Sequence, residues 1–287
     1  MEGPREVAAP ARVCETARPM SGLSEHARQQ VELHRQVAHM YRRRSQWAWA
    51  EAFQEERNAL LMDLVPARPQ GVALDLGCGT GVMLDHLGRR FPRVLGLDLS
   101  QEMLEGFDLT RLRAGLTVSL LRGDMAALPL RTASVDVIVC RSALHHMDDE
   151  AGVLREIARV LRPDGRLVLG EPANDNLLTR AARAFVRRRP SYGRIHTIDR
   201  AYTRAQLRGL LEGAGLRIVR EERFGFLAYP LCDNPELVPV LKHLPGAGAV
   251  AAALRALDRF LARVPLLRTQ SWYVLLEVAR ADPGAAP

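Results

Sequence analysis

The stretch Asp75-Leu76-Gly77-Cys78-Gly79-Thr80-Gly81 joins an acid to glycines at every second position. Such a turn suits a nucleotide-like ligand, because the backbone must bend tightly and approach the ligand with no Cβ in the way. A glycine turn alone is a weak signal, but two more acids follow it in chain order. Asp98 stands about 20 residues on, where a carboxylate can accept from both hydroxyls of a ribose. Gly123-Asp124-Met125 comes next, an acid able to take an adenine amino group beside a side chain able to pack on the ring.

The spacing also discriminates between ligands. The glycines run G-x-G-x-G, whereas the dinucleotide fingerprint runs G-x-G-x-x-G, and Asp75 immediately precedes the turn. A carboxylate there repels a pyrophosphate but tolerates the ammonium and sulfonium of S-adenosylmethionine (SAM). SAM is the better match.

The chemistry of methyl transfer then asks for a base only when the acceptor is a hydroxyl or an acidic carbon. His145 and His146 stand just past an apolar run, and imidazole suits deprotonation near neutral pH. Adjacent residues of a helical turn point about 100° apart, so one of the two would face the cleft. Orienting the loop through backbone hydrogen bonds is the alternative role, and both stay open on the sequence. Glu171 could orient a histidine or bind substrate, with a structural role as its alternative. Asp148 and Asp149 read as first-turn acids of a helix. Tyr41, Trp47 and Trp49 could cover the cofactor or fill a core, and His196 and Tyr202 could line an acceptor pocket.

These groups need elements to position them. Val72–Leu76, Val94–Asp98, Leu116–Leu121, Val135–Cys140 and Arg166–Gly170 read as short apolar strands separated by helical stretches, the clearest being Ala151 to Leu161 before the turn Arg162-Pro163-Asp164-Gly165. That alternation predicts an α/β fold, a doubly wound, mostly parallel sheet with helices on both faces. Leu216–Arg223 and Ser271–Val278 add two strands, and Thr203 caps a helix carrying Leu207, Leu210 and Leu211. Residues 1–22 read as a disordered tail, 23–70 as an N-terminal helical cap, and 71–287 as the catalytic domain. Insertions at about 173–202 and 225–270 would cover the substrate.

Val72 to Glu171 resembles the class I SAM-dependent methyltransferases, in the small-molecule branch similar to ubiquinone/menaquinone and natural-product enzymes. The residues that carry the likeness are Leu74 to Gly81, Gly96-Leu97-Asp98-Leu99-Ser100, Gly123-Asp124-Met125, Ala143-Leu144-His145-His146-Met147 and Arg159-Val160-Leu161-Arg162-Pro163-Asp164-Gly165. The resemblance implies a Rossmann-like seven-stranded sheet with an antiparallel last strand. It places cofactor contacts on Asp75, Gly77, Cys78, Gly79, Gly81, Asp98, Leu99, Met103, Asp124, Met125 and Arg141, with S-adenosyl-L-homocysteine (SAH) as product and no metal. Asp164 departs from the family, which usually has glycine there.

Composition bounds the rest. The 287 residues are 47% hydrophobic, enough to bury a full core, and carry a net charge of +7. Lys242 is the only lysine, and the arginines are spread along the chain rather than blocked together. No RNA-binding module or Asn-Pro-Pro-Tyr motif accompanies them, which argues against nucleic acid and an RNA methyltransferase. The stretch Arg180 to Arg200 could meet lipid-linked phosphates or an anionic membrane surface. Cys14, Cys78, Cys140 and Cys232 form no C-x-x-C pair, and neither a signal peptide nor an apolar span of about 18 residues is present, so a reduced, cytoplasmic setting is expected. The intact glycine turn and Asp98 argue against a non-catalytic SAM-binding subunit. The expected acceptor is a hydrophobic small molecule methylated at oxygen or ring carbon, under the apolar insertion.

Overall fold

A computed structural model describes residues 12–15, 23–43, 47–68, 71–107, 112, 116–188, 200–233, 241–264, 267 and 269–281. In chain order the strands are β1 (Arg12–Glu15), β2 (Val72–Leu76), β3 (Arg93–Asp98), β4 (Thr117–Arg122), β5 (Val135–Arg141), β6 (Leu161–Pro172), β7 (Leu216–Phe224) and β8 (Tyr273–Arg280). The helices are α1 (Glu25–Arg43), α2 (Ala48–Asp63), α3 (Leu84–Gly88), α4 (Gln101–Glu105), α5 (Glu150–Val160), α6 (Leu177–Arg187), α7 (Arg204–Gly213), α8 (Ala228–Cys232) and α9 (Ala247–Leu261), with 3-10 turns at Leu144–His146 and Leu241–His243.

The sheet order is β1-β4-β3-β2-β5-β6-β8-β7. Strands β1 to β6 pair in parallel, and β8, the last in the chain, runs antiparallel between β6 and β7. The seven strands read from the sequence are all there. Residues 12–15, inside the segment expected to be a disordered tail, instead pair with β4 as an eighth, edge strand; four residues are too few to show a period of two. The remainder of that segment lies outside the described residues. A second difference is β6, which starts at Leu161 rather than Arg166. The expected turn at 162–165 is a break in register between Val135↔Leu161 and Val137↔Arg166, and Asp164 there is held by the Arg68 guanidinium at 2.8 Å.

Period-two alternation divides the core into two layers. In β5, Val137 and Val139 face α2, α3, α8 and α9, whereas Ile138 and Cys140 face α5 and α7. All four are fully buried, as the strands of a sheet covered on both sides must be. Helix α5 follows from its sequence: Asp149 caps it by accepting from the Gly152 N–H at 2.8 Å, and Val153, Leu154, Ile157 and Val160 form one buried stripe. Thr203 and Gln206 close a reciprocal capping box at the start of α7.

The topology decides where a site can form. From β2 the chain adds β3 and β4 on one side, then crosses back to add β5 and β6 on the other. The carboxyl ends of β2 and β5 therefore flank the switch point, the place where open α/β sheets bind ligands.

Candidate active site

At that switch point the turn after β2 is bent as its glycines allow. Gly77, Gly79 and Gly81 have φ of 71°, 53° and 77°, the left-handed region. A Cβ on Gly77 would lie 2.5 Å from that of Ala143, in the loop after β5, and one on Gly81 would lie 2.3 Å from the Phe107 ring. The same Gly77 position is 3.3 Å from the Met125 methyl, and that of Gly79 is 3.4 Å from the Met103 methyl. Met103, Met125 and Ala143, from the segments that follow β3, β4 and β5, thus converge on the turn. Cys78 is buried there, and burial pushes its thiol well above the usual range.

Asp98 ends β3 and fastens the turn. Its Oδ2 accepts from the Gly79 N–H at 2.8 Å and its Oδ1 from the Ser100 N–H at 2.9 Å. Each oxygen keeps a further lone pair for a ribose hydroxyl. The Leu99 carbonyl accepts from Arg122 at 3.5 Å, which settles the backbone beyond it. Asp124 uses Oδ1 to accept from the Ala126 N–H at 2.9 Å, turning the chain after β4.

Asp75 is only 2% exposed, and its Oδ2 has no hydrogen-bond partner. Burial raises its pKa to about 7; Arg141 opposes the rise and Asp98 adds to it. An orphaned buried carboxyl beside a glycine cradle suits a cationic group, so the residues present fit the amino acid end of SAM. Arg141, expected among the cofactor contacts, sends its guanidinium to Gln54 on α2 at 3.2 Å.

Across the cleft, Glu171 at the end of β6 is fully buried and fully used. Its Oε1 accepts from the N–H groups of Ala143 and Leu144 at 3.2 and 2.9 Å, and its Oε2 accepts from His145 Nδ1 at 2.6 Å. With Nδ1 donating, Nε2 of a neutral His145 carries the lone pair. His146 packs against that ring at 4.1 Å between centroids, and its own carbonyl lies 2.6 Å from His26 Nε2 on α1. His34, also on α1, meets the His146 ring edge-on at 5.9 Å.

Other expected residues sit elsewhere. Tyr202 is buried in the α5–α7 layer with its hydroxyl 3.3 Å from Glu150. Trp49 packs on the opposite layer, and Trp47 carries the Lys242 ammonium over its ring at 4.5 Å. His196 and the side chain of Tyr41 lie outside the described residues. Within Arg180 to Arg200, Arg183 turns inward over the Trp272 ring at 4.9 Å. Residues the sequence did not mark are His26, His34, Gln54, Arg57, Ser142 and Tyr273. Of these Ser142, at φ 55°, joins Tyr273 through hydroxyls 2.6 Å apart. Among the described residues no group of three or more His, Cys, Asp or Glu could hold a metal, and no helix is long and apolar enough to cross a membrane.

Residues 74–169 match the methyltransferase domain family. The chain is 33% identical over 218 residues to a trans-aconitate 2-methyltransferase of Deinococcus radiodurans, covering 69% of this chain and 82% of that protein. It is 34% identical to a 27-O-demethylrifamycin SV methyltransferase of Amycolatopsis mediterranei, over 44% of this chain and 48% of the other. The chain spans about a third to a half of the length of other curated relatives it matches. Among solved structures, geranyl diphosphate C-methyltransferase from Streptomyces coelicolor, a complex with SAH, superposes with a TM-score of 0.55 at 18% identity, covering 80% of each chain. That likeness shows a shared fold.

Proposed function

Because this chain belongs to the SAM-dependent methyltransferases, we propose that it transfers a methyl group to an oxygen or ring carbon of a hydrophobic small molecule. The observation that carries the reading is the division of labour in Glu171. One oxygen is spent on the backbone of the loop and the other on His145 Nδ1, which leaves imidazole Nε2 as the basic atom.

SAM, when bound, supplies an electrophilic methyl on sulfur. In this reading Asp75 takes its ammonium, the backbone of Gly77 to Gly81 its amino acid end, Asp98 its ribose, and Asp124 with Met125 its adenine. His145 Nε2 accepts the acceptor's proton, and Glu171 holds the imidazole in the right tautomer and steadies the imidazolium that forms. Exclusion of water by α1, which reaches the histidine loop, and α2, which reaches Arg141, strengthens each of these contacts. His146 keeps the loop packed against α1. Names of similar proteins, among them ubiquinone biosynthesis and rifamycin O-methyltransferases, support a small-molecule acceptor. The buried free thiols of Cys78, Cys140 and Cys232 support a reduced, cytoplasmic setting.

Isothermal titration with SAM, followed by a homocysteine-release screen of phenolic and quinol acceptors, tests the reading. Wild type should bind SAM and Asp98→Ala should not. A wild type without SAM affinity, or an Asp98→Ala variant unchanged in it, would refute the proposal.

A further inference from the structure

Arg57, on α2, is 2% exposed and lies beside a second guanidinium group, that of Arg141. Its Nη1 donates to Asp233 at 2.8 Å, its Nη2 to Gln54 Oε1, and its Nε has no partner. Its plane lies over the Tyr273 ring at 5.0 Å. Arg141 reaches the same Gln54 oxygen from the end of β5, at 3.2 Å. Two guanidinium groups therefore share one neutral amide oxygen. Among the described residues Asp233 is the one carboxylate that makes an ion pair with either, and Gln54 Nε2 also donates to it at 2.8 Å.

A structural tie between α2 and the segment after α8 needs a single arginine. A second, half-buried cation beside it is costly unless an anion completes the group. Burial, then the charge of Arg57, holds the Arg141 pKa below its ordinary value. Tyr273, Asp75 and then Asp233 oppose that lowering, and burial opposes the ionisation of Asp75 itself.

We infer that Arg57 and Arg141 bind a carboxylate carried by the acceptor, so that the substrate is a hydrophobic acid rather than a neutral molecule. The inference rests on the methyltransferase reading. It favours the acceptor over the cofactor because Arg57 and its partners Gln54, Asp233 and Tyr273 come from α2, the end of α8 and β8, away from the glycine turn, and only Arg141, at the end of β5, stands next to Asp75. Tyr273 also ties this group to the histidine loop through Ser142. Aromatic rings surround it: Tyr229 stacks on Tyr273 and Trp272 at 5.8 and 6.2 Å, and Phe53 meets Phe224 at 5.0 Å. Planar oxyanion recognition by paired guanidinium groups next to ring faces describes an aromatic acid. The methionine carboxylate of SAM offers the same chemistry, and the experiment separates the two.

The test uses the full chain saturated with SAH, probed with benzoate and with its neutral isostere benzamide. Benzoate should raise the Tm of the wild type and benzamide should not, as ligand linkage requires. Arg57→Met should lose the benzoate response while its SAH affinity stays within ~2-fold of wild type. Gln54→Glu places a carboxylate beside the two guanidinium groups at the cost of the Nε2 donor to Asp233, so it should ignore benzoate while its SAH affinity stays within ~2-fold of wild type. Equal responses to benzoate and benzamide overturn the inference. So does a loss of SAH affinity of ~10-fold or more in both variants, which would assign the pair to the cofactor. A wild type that binds SAH yet ignores benzoate overturns this inference alone; one that binds no SAH overturns the reading beneath it as well.

Discussion

Glu171 Oε2 accepts from His145 Nδ1 at 2.6 Å, while the other oxygen of the same carboxylate accepts from two backbone N–H groups of the loop that carries the histidine. One buried acid thus sets both the position of the loop and the tautomer of the ring. Glu171→Gln preserves shape but presents an amide N–H to Nδ1, so the lone pair moves to the wrong nitrogen. We expect kcat to fall by roughly 10²–10⁴-fold, the range general-base catalysis supplies, with SAM affinity unchanged. His145→Ala should fall equally, and the double variant no further, because the two act as one unit. Single-turnover assays with saturating SAM check this; additive losses would separate the pair.

Gly77 and Gly209 make a matched contrast. Ala at position 77 meets a left-handed φ of 71° and the Ala143 Cβ at 2.5 Å, whereas a Cβ at 209, within α7, meets nothing within 4 Å. The strained backbone alone costs about 1–2 kcal/mol. Gly77→Ala should therefore lower Tm and weaken SAM binding. Gly209→Ala should raise Tm, through about 0.5–1 kcal/mol of helix propensity, and leave SAM affinity untouched. Calorimetric melting with and without SAH measures both.

His26 ties α1 to the histidine loop through the His146 carbonyl at 2.6 Å, supported by Ser24 on Asp148 at 3.4 Å. Its loss removes one hydrogen bond, about 1 kcal/mol of stability. His26→Ala should lower kcat more than Tm suggests, because α1 no longer steadies the loop or excludes water. Equal Tm and unchanged turnover across His26→Ala would leave α1 without a role in the cleft.

The sheet and the cofactor turn were legible because their signals are local. Hydrophobic runs such as Val135–Cys140 and the acids Asp75, Asp98 and Asp124 carry their meaning in spacing that any segment displays by itself. Glu171 was visible only as a residue at a strand end, with three roles open, since its partnership with His145 spans 26 positions and is made by the parallel pairing of β5 with β6. Arg57 and Gln54 left no trace: a helix rich in charge reads as a solvated face, and only the fold brings Tyr273 and Asp233 over it. Arg12–Glu15 illustrates the opposite failure, a strand whose partner lies about a hundred residues away and whose own four residues show no pattern.

The buried Asp75 carboxyl makes a prediction about pH. Its pKa is raised in the folded chain from 3.8 to about 7, chiefly by burial, with Arg141 opposing and Asp98 adding. The folded state therefore binds the proton more tightly than the unfolded state, and stability linked to that proton is full below the unfolded value and declines as pH rises from about 4 through about 7. Asp75→Asn keeps the shape and removes the ionisation, so its Tm should be flatter than that of the wild type across this window and should exceed it above pH 7 without cofactor. SAM reverses the preference, since its ammonium favours the carboxylate; wild-type affinity should increase from pH 6 to pH 8 with release of a proton, and Asp75→Asn should bind weakly with no such slope. Titration calorimetry in buffers of different ionisation enthalpy counts that proton. An affinity that is level across the window in the wild type would remove Asp75 from the ammonium site.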